Sequence, residues 1–257
     1  MRILFIGDIV GRPGRALVGD LLPNLRKSED IDVVLASADN LAHGRGATKN
    51  TVGEVLSYGV DLFTGGDHIF HHKGFEEDIE GLPVLRAANY PGDTPGRGYT
   101  VLDLGEKGSL LVVSLLGRTS FGGPSVYLDD PFRVADEILE EFSSFDSLVS
   151  VIDFHAEATS EKNALGFYLD GRVTGVVGTH THIPTCDVRV FPSGTMFVTD
   201  VGMTGSIDSV LGVRSDIILN LFLTARSQKF EWEDTGTKAF RSVLLDTDSN
   251  KIKRLDF

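Results

Sequence analysis

Residues 173–185 read VTGVVGTHTHIPT, a short apolar run followed at once by a polar loop. The apolar half has the length and composition of a strand buried on both faces of a parallel sheet. His180 and His182 come directly after it, and in extended backbone two residues that are two apart point the same way. Gly178 before them and Pro184 after them favour a tight, fixed loop. This segment therefore predicts an α/β sheet whose strand end carries two imidazoles able to reach one metal centre.

The same alternation of short apolar runs and helix-period segments continues on both sides of this stretch. Further strands are predicted over residues 2–7, 31–38, 60–64, 84–88 and 148–154. Helices are predicted over residues 14–27, 48–58, 131–142 and 215–225, and after residue 158, with Thr159 or Ser160 as the cap of that helix. Hairpins are predicted at residues 99–115, 188–199 and 241–256, and a turn-rich stretch at residues 117–124. Since no repeat or linker interrupts the pattern, we expect one α/β domain over residues 1–257.

Composition narrows the classes of partner. The chain has 257 residues with 24 basic and 37 acidic side chains, a formal net charge of −13. Such a charge repels polyanions, so we expect no broad surface for long nucleic acid or an anionic membrane, although a local site can hold a small phosphorylated ligand. No stretch approaches the roughly 18 uncharged apolar residues of a membrane span, and no secretory signal is evident. A cytoplasmic location is therefore expected.

Cysteine usage limits the kind of metal site. Cys186 is the only cysteine, so the chain has no intrachain disulfide, and a metal must be held by oxygen and nitrogen ligands. Cys186 itself is predicted to be a small packed side chain.

Polar side chains that can hold a metal follow the carboxyl ends of separate predicted strands. They are Asp8, Asp39, Asn40, Asp67, His68, His155, His180 and His182. Ligands of open α/β sheets gather at that edge, and carboxylates together with imidazoles hold divalent metals. Each member also has a structural interpretation, since Asp8 or Asp39 can cap a following helix and His68 can be a neutral core histidine. It is the set as a whole that favours a metal site.

Five segments resemble those of the calcineurin-like metallophosphoesterases, and more narrowly those of the small bacterial YmdB-like phosphodiesterases that act on cyclic nucleotides. They are Gly7-Asp8, Ala38-Asp39-Asn40, Gly66-Asp67-His68, residues 153–162 (DFHAEATSEK) and residues 178–185 (GTHTHIPT). The last two segments are highly specific for this resemblance. The resemblance runs from residue 1 to about residue 215, and the sequence beyond is generic.

The resemblance implies a four-layer α/β/β/α sandwich of mixed sheets with two metal ions at the strand ends. The ligands of the first ion would be Asp8, Asp39 and His182. Asp39 would bridge to the second ion, whose other ligands would be Asp67, His155 and His180. Oxygen and imidazole ligands favour iron or manganese, with zinc and magnesium as alternatives.

Two further roles are implied by the same resemblance. Asn40 would lie beside the first ion and hydrogen-bond a bridging water or a phosphate oxygen, and His68 would face the leaving oxygen as general acid. The expected activity is hydrolysis of phosphodiesters by a metal-bridging hydroxide, with 2′,3′- or 3′,5′-cyclic nucleotides as substrates. The alternatives are a phosphomonoesterase on the same scaffold and a non-catalytic regulator that binds a nucleotide. The sequence is also compatible with a homo-oligomer.

Three positions depart from the expected patterns. Val10 stands where broader metallophosphoesterases have a second ligand, although the narrower family also lacks it. Asp39 replaces the usual glutamate of the narrower family, and Asp67 replaces its usual asparagine. Asp39 would make the bridge between the ions shorter, and Asp67 would add a carboxylate, so both replacements alter the metal site.

Other polar residues have less distinctive surroundings. His43, His71 and His72 fit rim or surface histidines best, with substrate contact as the alternative. Residues 11–15 (GRPGR) match no phosphate-binding fingerprint and predict a Gly/Pro turn into a helix. Arg118 could face substrate or form a surface salt bridge.

Overall fold

The computed structural model describes residues 1–119, 127–145 and 147–257. Its strands are β1 (Arg2–Ile6), β2 (Asp8–Ile9), β3 (Val33–Ser37), β4 (Leu62–Thr64), β5 (Val84–Leu85), β6 (Tyr99–Asp103), β7 (Ser109–Leu116), β8 (Val149–His155), β9 (Gly175–Thr179), β10 (Arg189–Val190), β11 (Met196–Val198), β12 (Met203–Ser206), β13 (Lys238–Ala239), β14 (Ser242–Asp246) and β15 (Lys251–Arg254). Its helices are α1 (Gly11–Ser28), α2 (Lys49–Leu56), α3 (Phe75–Asp78), α4 (Pro131–Glu141), α5 (Thr159–Tyr168) and α6 (Ser215–Thr224).

Two six-stranded mixed sheets form the centre of the molecule. The strand order is β15-β14-β1-β3-β4-β5 in the first sheet and β10-β11-β9-β8-β7-β6 in the second. Strands β1, β3, β4 and β5 run parallel, as do β7, β8, β9 and β11, while hairpin strands complete the edges. The predicted hairpins β6–β7, β10–β11 and β14–β15 are confirmed.

Continuous apolar runs explain the layers, because strands buried on both faces need no polar alternation. In β1, Ile3 and Phe5 face the core between the two sheets, whereas Leu4 and Ile6 face the core under α1 and α2. A third core packs the second sheet against α4 and α5. The layers are therefore helix, sheet, sheet and helix, and the predicted four-layer sandwich is confirmed.

A small third sheet was not predicted from the sequence. It has the order β13-β12-β2, and Met203 of β12 pairs in parallel with Asp8 of β2. The segment that forms β12 reads MTGS and lacks an apolar run or a clear alternation. This sheet fixes the backbone of Asp8.

Several local predictions were wrong. Helix α1 begins at Gly11 and not at residue 14. Gly11 has a φ of 58°, which glycine adopts readily. Helix α5 begins at Thr159 with Ala158 at its N-cap and no side-chain cap, so neither Thr159 nor Ser160 caps it. Cys186 is exposed instead of packed. Residues 120–124 of the predicted turn-rich stretch lie outside the described residues.

Among the described residues, no helix is long and apolar enough to cross a bilayer.

Candidate active site

The predicted site residues gather where the two large sheets present the carboxyl ends of their parallel strands. The first sheet supplies Asp39 and Asn40 after β3 and Asp67 and His68 after β4. The second sheet supplies His155 as the last residue of β8, and His180 and His182 after β9. Asp8 belongs to the small third sheet. One edge of the sandwich thus receives carboxylates mainly from one sheet and imidazoles mainly from the other.

The group assigned to the second ion is assembled. His155 Nε2 lies 3.2 Å from Asp67 Oδ1, and His180 Nδ1 lies 3.1 Å from His155 Nε2 and 3.4 Å from Asp67 Oδ1. His155 Nε2 is also 3.6 Å from Asp39 Oδ2. The candidate ligand atoms of Asp67, His155 and His180 all lie within 4.8 Å of one another, a spacing from which they could hold one metal ion.

Buried hydroxyl groups orient His155. Thr179 Oγ1 donates to Asp153 Oδ1 at 2.8 Å, so its lone pair is left to accept a hydrogen bond from His155 Nδ1 at 2.9 Å. With Nδ1 occupied in this way, Nε2 is the nitrogen turned toward Asp67. A hydrogen bond to one ring nitrogen commonly fixes the other nitrogen as a metal ligand. Sequence reasoning missed Thr179 and Asp153, although both are polar residues inside strands that are otherwise apolar.

The group assigned to the first ion is less compact. Asp8 is fully buried, and its carboxylate accepts from Ser37 Oγ at 2.6 Å and from the His180 backbone N–H at 2.9 Å. Burial opposes ionisation, but His155, His182 and Ser37 hold the pKa of Asp8 below its usual value. His182 Nδ1 lies 3.1 Å from the Leu211 carbonyl, and Nε2 lies 3.4 Å from Asn40 Oδ1.

The two imidazoles of the HxH motif have different neighbours. His180 has φ of 100° and His182 has φ of 65°, so the loop is left-handed and not extended as the spacing argument assumed. His180 joins Asp67 and His155, whereas His182 lies beside Asn40. The two imidazoles therefore point to separate parts of the site.

Asp39 sits between the two groups. Its Oδ1 accepts from the backbone N–H of Gly66 at 2.6 Å, and both of its oxygens lie 3.1 Å from the backbone N–H of His68. Burial and the nearby Asp67 carboxylate raise the pKa of Asp39, although the His155 charge opposes them. A Cβ at position 66 would lie 2.3 Å from the His155 ring, so glycine is required for this close approach.

His68 is placed at the rim and not in the core. Its side chain is 27% exposed, and Nδ1 lies 2.6 Å from Asp67 Oδ2 and 3.6 Å from Asp39 Oδ2. The Asp67 contact raises the pKa of His68 against the effect of burial. His68, Asp39 and Asp67 also form a second group close enough to hold a metal ion. The structure thus excludes a buried core histidine.

The charge balance fits a cation. Burial alone would lower the pKa of His155, yet Asp39, Asp67 and Asp8 raise it to about 10. The same carboxylates that stabilise the protonated, positively charged form of His155 would also stabilise a metal cation at this position. The oxygen and nitrogen donors present are of the type that divalent metals use. The residues present therefore fit a metal centre.

A cavity of about 420 Å³ opens above these groups and is called the metal cavity here. Its polar floor is formed by Asp39, Asn40, Asp67, His68, His155, His180 and His182. One wall is apolar and includes Leu211, Phe222, Phe230 and Trp232. Asp8 does not line the cavity because it lies buried at the strand end. The wall comes from the stretch after residue 205, which the sequence analysis treated as generic.

Two other candidate substrate-binding features, residues 11–15 and Arg118, make contacts within the protein. Residues 11–15 form the start of α1 and not the predicted Gly/Pro turn. Arg15 donates to the Leu41 carbonyl and pairs with Glu54 at 2.8 Å, so this segment serves the fold. Arg118 lies 3.6 Å from Asp130, and both side chains are exposed. It forms the surface salt bridge that was one of its two interpretations.

A sequence model of the YmdB-like protein family matches residues 4–256. The chain belongs to the YmdB-like family. It is 42% identical over 254 residues to the 2′,3′-cyclic-nucleotide 2′-phosphodiesterase of Bacillus subtilis, a match covering 98% of this chain and 94% of that protein. The expected YmdB-like resemblance is confirmed, and it extends past residue 215 to residue 256.

Two solved structures are similar over the whole YmdB-like chain. A hypothetical protein of Thermus thermophilus has a TM-score of 0.91 and 40% identity, covering 100% of this chain and 99% of its own. A novel phosphatase of Mycoplasma pneumoniae has a TM-score of 0.91 and 30% identity, covering 100% and 93%. Both agree with the four-layer arrangement.

Proposed function

We propose that this protein is a metal-dependent phosphodiesterase that hydrolyses cyclic nucleotides. The observation that carries the proposal is the convergence of Asp67, His155 and His180 on one point at the floor of a cavity with an aromatic wall. The Bacillus subtilis relative is a 2′,3′-cyclic-nucleotide 2′-phosphodiesterase, which supports a 2′,3′-cyclic substrate over a 3′,5′-cyclic one.

The proposed ligands keep the assignment made from the resemblance. The first ion would be held by Asp8, Asp39 and His182, and the second by Asp39, Asp67, His155 and His180. Two such ions would lower the pKa of a water molecule and neutralise charge on the phosphate. Iron or manganese suits this ligand set best, with zinc and magnesium as alternatives.

Asn40 and His68 have roles beside the ligands. Asn40 Nδ2 donates to the Gly44 carbonyl at 2.9 Å, which fixes the amide and leaves its second N–H for a phosphate oxygen. His68 lies at the rim of the same floor and would donate a proton to the leaving oxygen. The apolar wall, with Phe230 and Trp232, would pack against the nucleoside.

The test is a comparison of three substrates with protein purified without chelator or added metal. We expect hydrolysis of a 2′,3′-cyclic nucleotide and of bis-p-nitrophenyl phosphate, with slower hydrolysis of p-nitrophenyl phosphate. Elemental analysis of the same preparation should find a transition metal. Preferential hydrolysis of the monoester would favour the phosphomonoesterase alternative, and metal-free protein that binds nucleotide without turnover would favour a regulator.

The extra carboxylate at Asp67 gives a further prediction. Asp67→Asn removes one negative charge from the ligand set, so we expect Mn²⁺ to bind on the order of 10-fold more weakly or worse. At saturating Mn²⁺ the anionic diester is repelled less, and KM should fall about fivefold, equivalent to about 1 kcal/mol. Titration of activity against Mn²⁺ measures both effects. Asp20→Asn, at an exposed position on α1, is the matched control; unchanged metal affinity with no gain at saturation would contradict the charge argument.

A further inference from the structure

A second cavity of about 540 Å³ adjoins the metal cavity and is called the basic cavity here. Its polar lining includes His43, Arg45, His71 and His72, and its aromatic lining is Phe230 and Trp232. Arg45, Leu221, Phe230 and Trp232 line both cavities, so the two share a wall. A ligand bound at the metal cavity can therefore extend into the basic cavity.

The charge of the basic cavity contrasts with that of the chain. The chain carries a net charge of −13, yet none of the described residues that line this cavity is a carboxylate. The Arg45 guanidinium lies 5.3 Å from the centre of the Phe230 ring, and the ion pairs among the described residues do not include Arg45. Arg45 and three histidines, with no carboxylate among the described lining residues of this cavity, form a local site for an anion.

The basic cavity is built by ordered backbone and not by flexible surface side chains alone. The loop that carries His43 and Arg45 closes with hydrogen bonds from Ala42 N to Gly46 O at 2.8 Å and from Gly46 N to Asp39 O at 2.6 Å. His72 Nε2 contacts the Ala42 carbonyl at 3.2 Å and ties the other wall to this loop.

Close packing also fixes the loop of residues 42–46 against its neighbours. A Cβ at Gly46 would lie 2.7 Å from the His68 carbonyl oxygen and 2.9 Å from His71 Cβ. A Cβ at Gly44 would lie 2.3 Å from the Trp232 ring. The loop is thus fixed against the segment that carries His68 and against the aromatic wall.

Side chains from the two cavities lie close to one another. The His68 and His71 rings, one on each side, have centroids 6.4 Å apart. The aromatic residues of the shared wall would lie beside the nucleoside between them.

We propose that the basic cavity binds a second phosphoryl group of the substrate, so that the preferred substrate is a nucleoside 2′,3′-cyclic phosphate that also carries a 5′-phosphate. This inference rests on the proposed function, since it places the scissile phosphate at the metal cavity. Arg45 supplies the permanent charge, and His43 and His71 supply further hydrogen-bond donors.

The experiment measures binding by calorimetry on protein as purified, with adenosine 3′,5′-bisphosphate and adenosine 3′-monophosphate as probes. We expect the wild-type protein to bind the bisphosphate about 10-fold or more tightly than the monophosphate. In Arg45→Met this ratio should fall to about twofold or less, and His43→Ala should reduce it partially. Arg133→Met is the control, because it removes the same charge from an exposed position on α4, and it should keep the full ratio.

Two outcomes would overturn the inference: equal affinities for both probes in the wild-type protein, or an affinity ratio that Arg45→Met leaves unchanged. Kinetics with a 2′,3′-cyclic nucleotide, with and without the 5′-phosphate, separates this inference from the proposed function. If both cyclic nucleotides are hydrolysed and the 5′-phosphate changes neither KM nor binding, the proposed role of the basic cavity is wrong but the phosphodiesterase proposal stands. Preferential bisphosphate binding without hydrolysis of either cyclic nucleotide supports the anion site and defeats the phosphodiesterase proposal.

Discussion

Replacement of His68 by alanine is expected to lower kcat for a cyclic nucleotide by about 10²–10⁴-fold while the metal content stays the same. The reason is that the leaving alkoxide is a poor leaving group without a proton. His68 lies at the rim of the metal cavity, where its imidazole can approach that oxygen, and not in the core. Steady-state kinetics together with elemental analysis of the purified variant measures both quantities.

The leaving group provides the sharper comparison for His68. A nitrophenolate needs no proton, so bis-p-nitrophenyl phosphate should lose much less activity in His68→Ala than a cyclic nucleotide does. His68→Gln is the matched variant, since it keeps an N–H near Asp67 but transfers no proton, and it should lose as much activity as the alanine variant. Loss of bound metal, or equal losses on both substrates, would instead indicate a structural role for His68 or a role as ligand in the group that it forms with Asp39 and Asp67.

The strand ends were predictable because their signal is local. A buried parallel strand is a continuous apolar run, and the polar residue that ends it is conspicuous, as with His155 after residues 149–154. The order of such strands in a sheet places their carboxyl ends at one edge. For this reason the residues that the structure brings together, such as Asp67 and His155, were identified from sequence positions 88 residues apart.

The features that sequence reasoning missed depend on contacts between distant segments. The left-handed backbone at His180 and His182 is imposed by the surrounding loops, and nothing in the HxH spacing reveals it. Trp232 enters the wall through an isolated bridge to Val213 and not through a regular strand. The hydrogen bond from Thr179 to Asp153 pairs two strands, so neither residue alone signals its role. Tertiary packing decided these features.

A buried ion pair behind the HxH loop gives the second large effect. Lys162 Nζ lies 2.6 Å from Asp200 Oδ2, and the two side chains are 1% and 0% exposed. Lys162→Met leaves the Asp200 charge buried without its partner, so we expect the free energy of unfolding to fall by about 3–5 kcal/mol. Urea denaturation measures this change. Lys253→Met is the control, because its pair with Glu29 is exposed and should contribute at most about 1 kcal/mol.

A second substitution tests whether the unpaired charge causes the loss. In Lys162→Met/Asp200→Asn the buried charge is gone, while the asparagine oxygen can still accept from Thr181. We therefore expect the double variant to recover part of the lost stability. A loss of less than about 1 kcal/mol in Lys162→Met, or a double variant whose losses simply add, would contradict a tightly coupled pair.

The same pair should also control the geometry of the imidazoles. Asp200 Oδ2 accepts from Thr181 N at 3.1 Å and Thr181 Oγ1 at 2.8 Å, and Lys162 Nζ donates to the Thr179 carbonyl at 2.7 Å. These contacts hold Thr179 and Thr181, the residues on either side of His180, and so help to keep His180 in a left-handed conformation that costs about 1–3 kcal/mol for a non-glycine residue. Without Lys162 the loop can relax toward ordinary φ values, which turns His180 and His182 away from their groups. Mn²⁺ should therefore bind about 10-fold more weakly to folded Lys162→Met, and an unchanged Mn²⁺ titration would show that the loop holds its conformation without the ion pair.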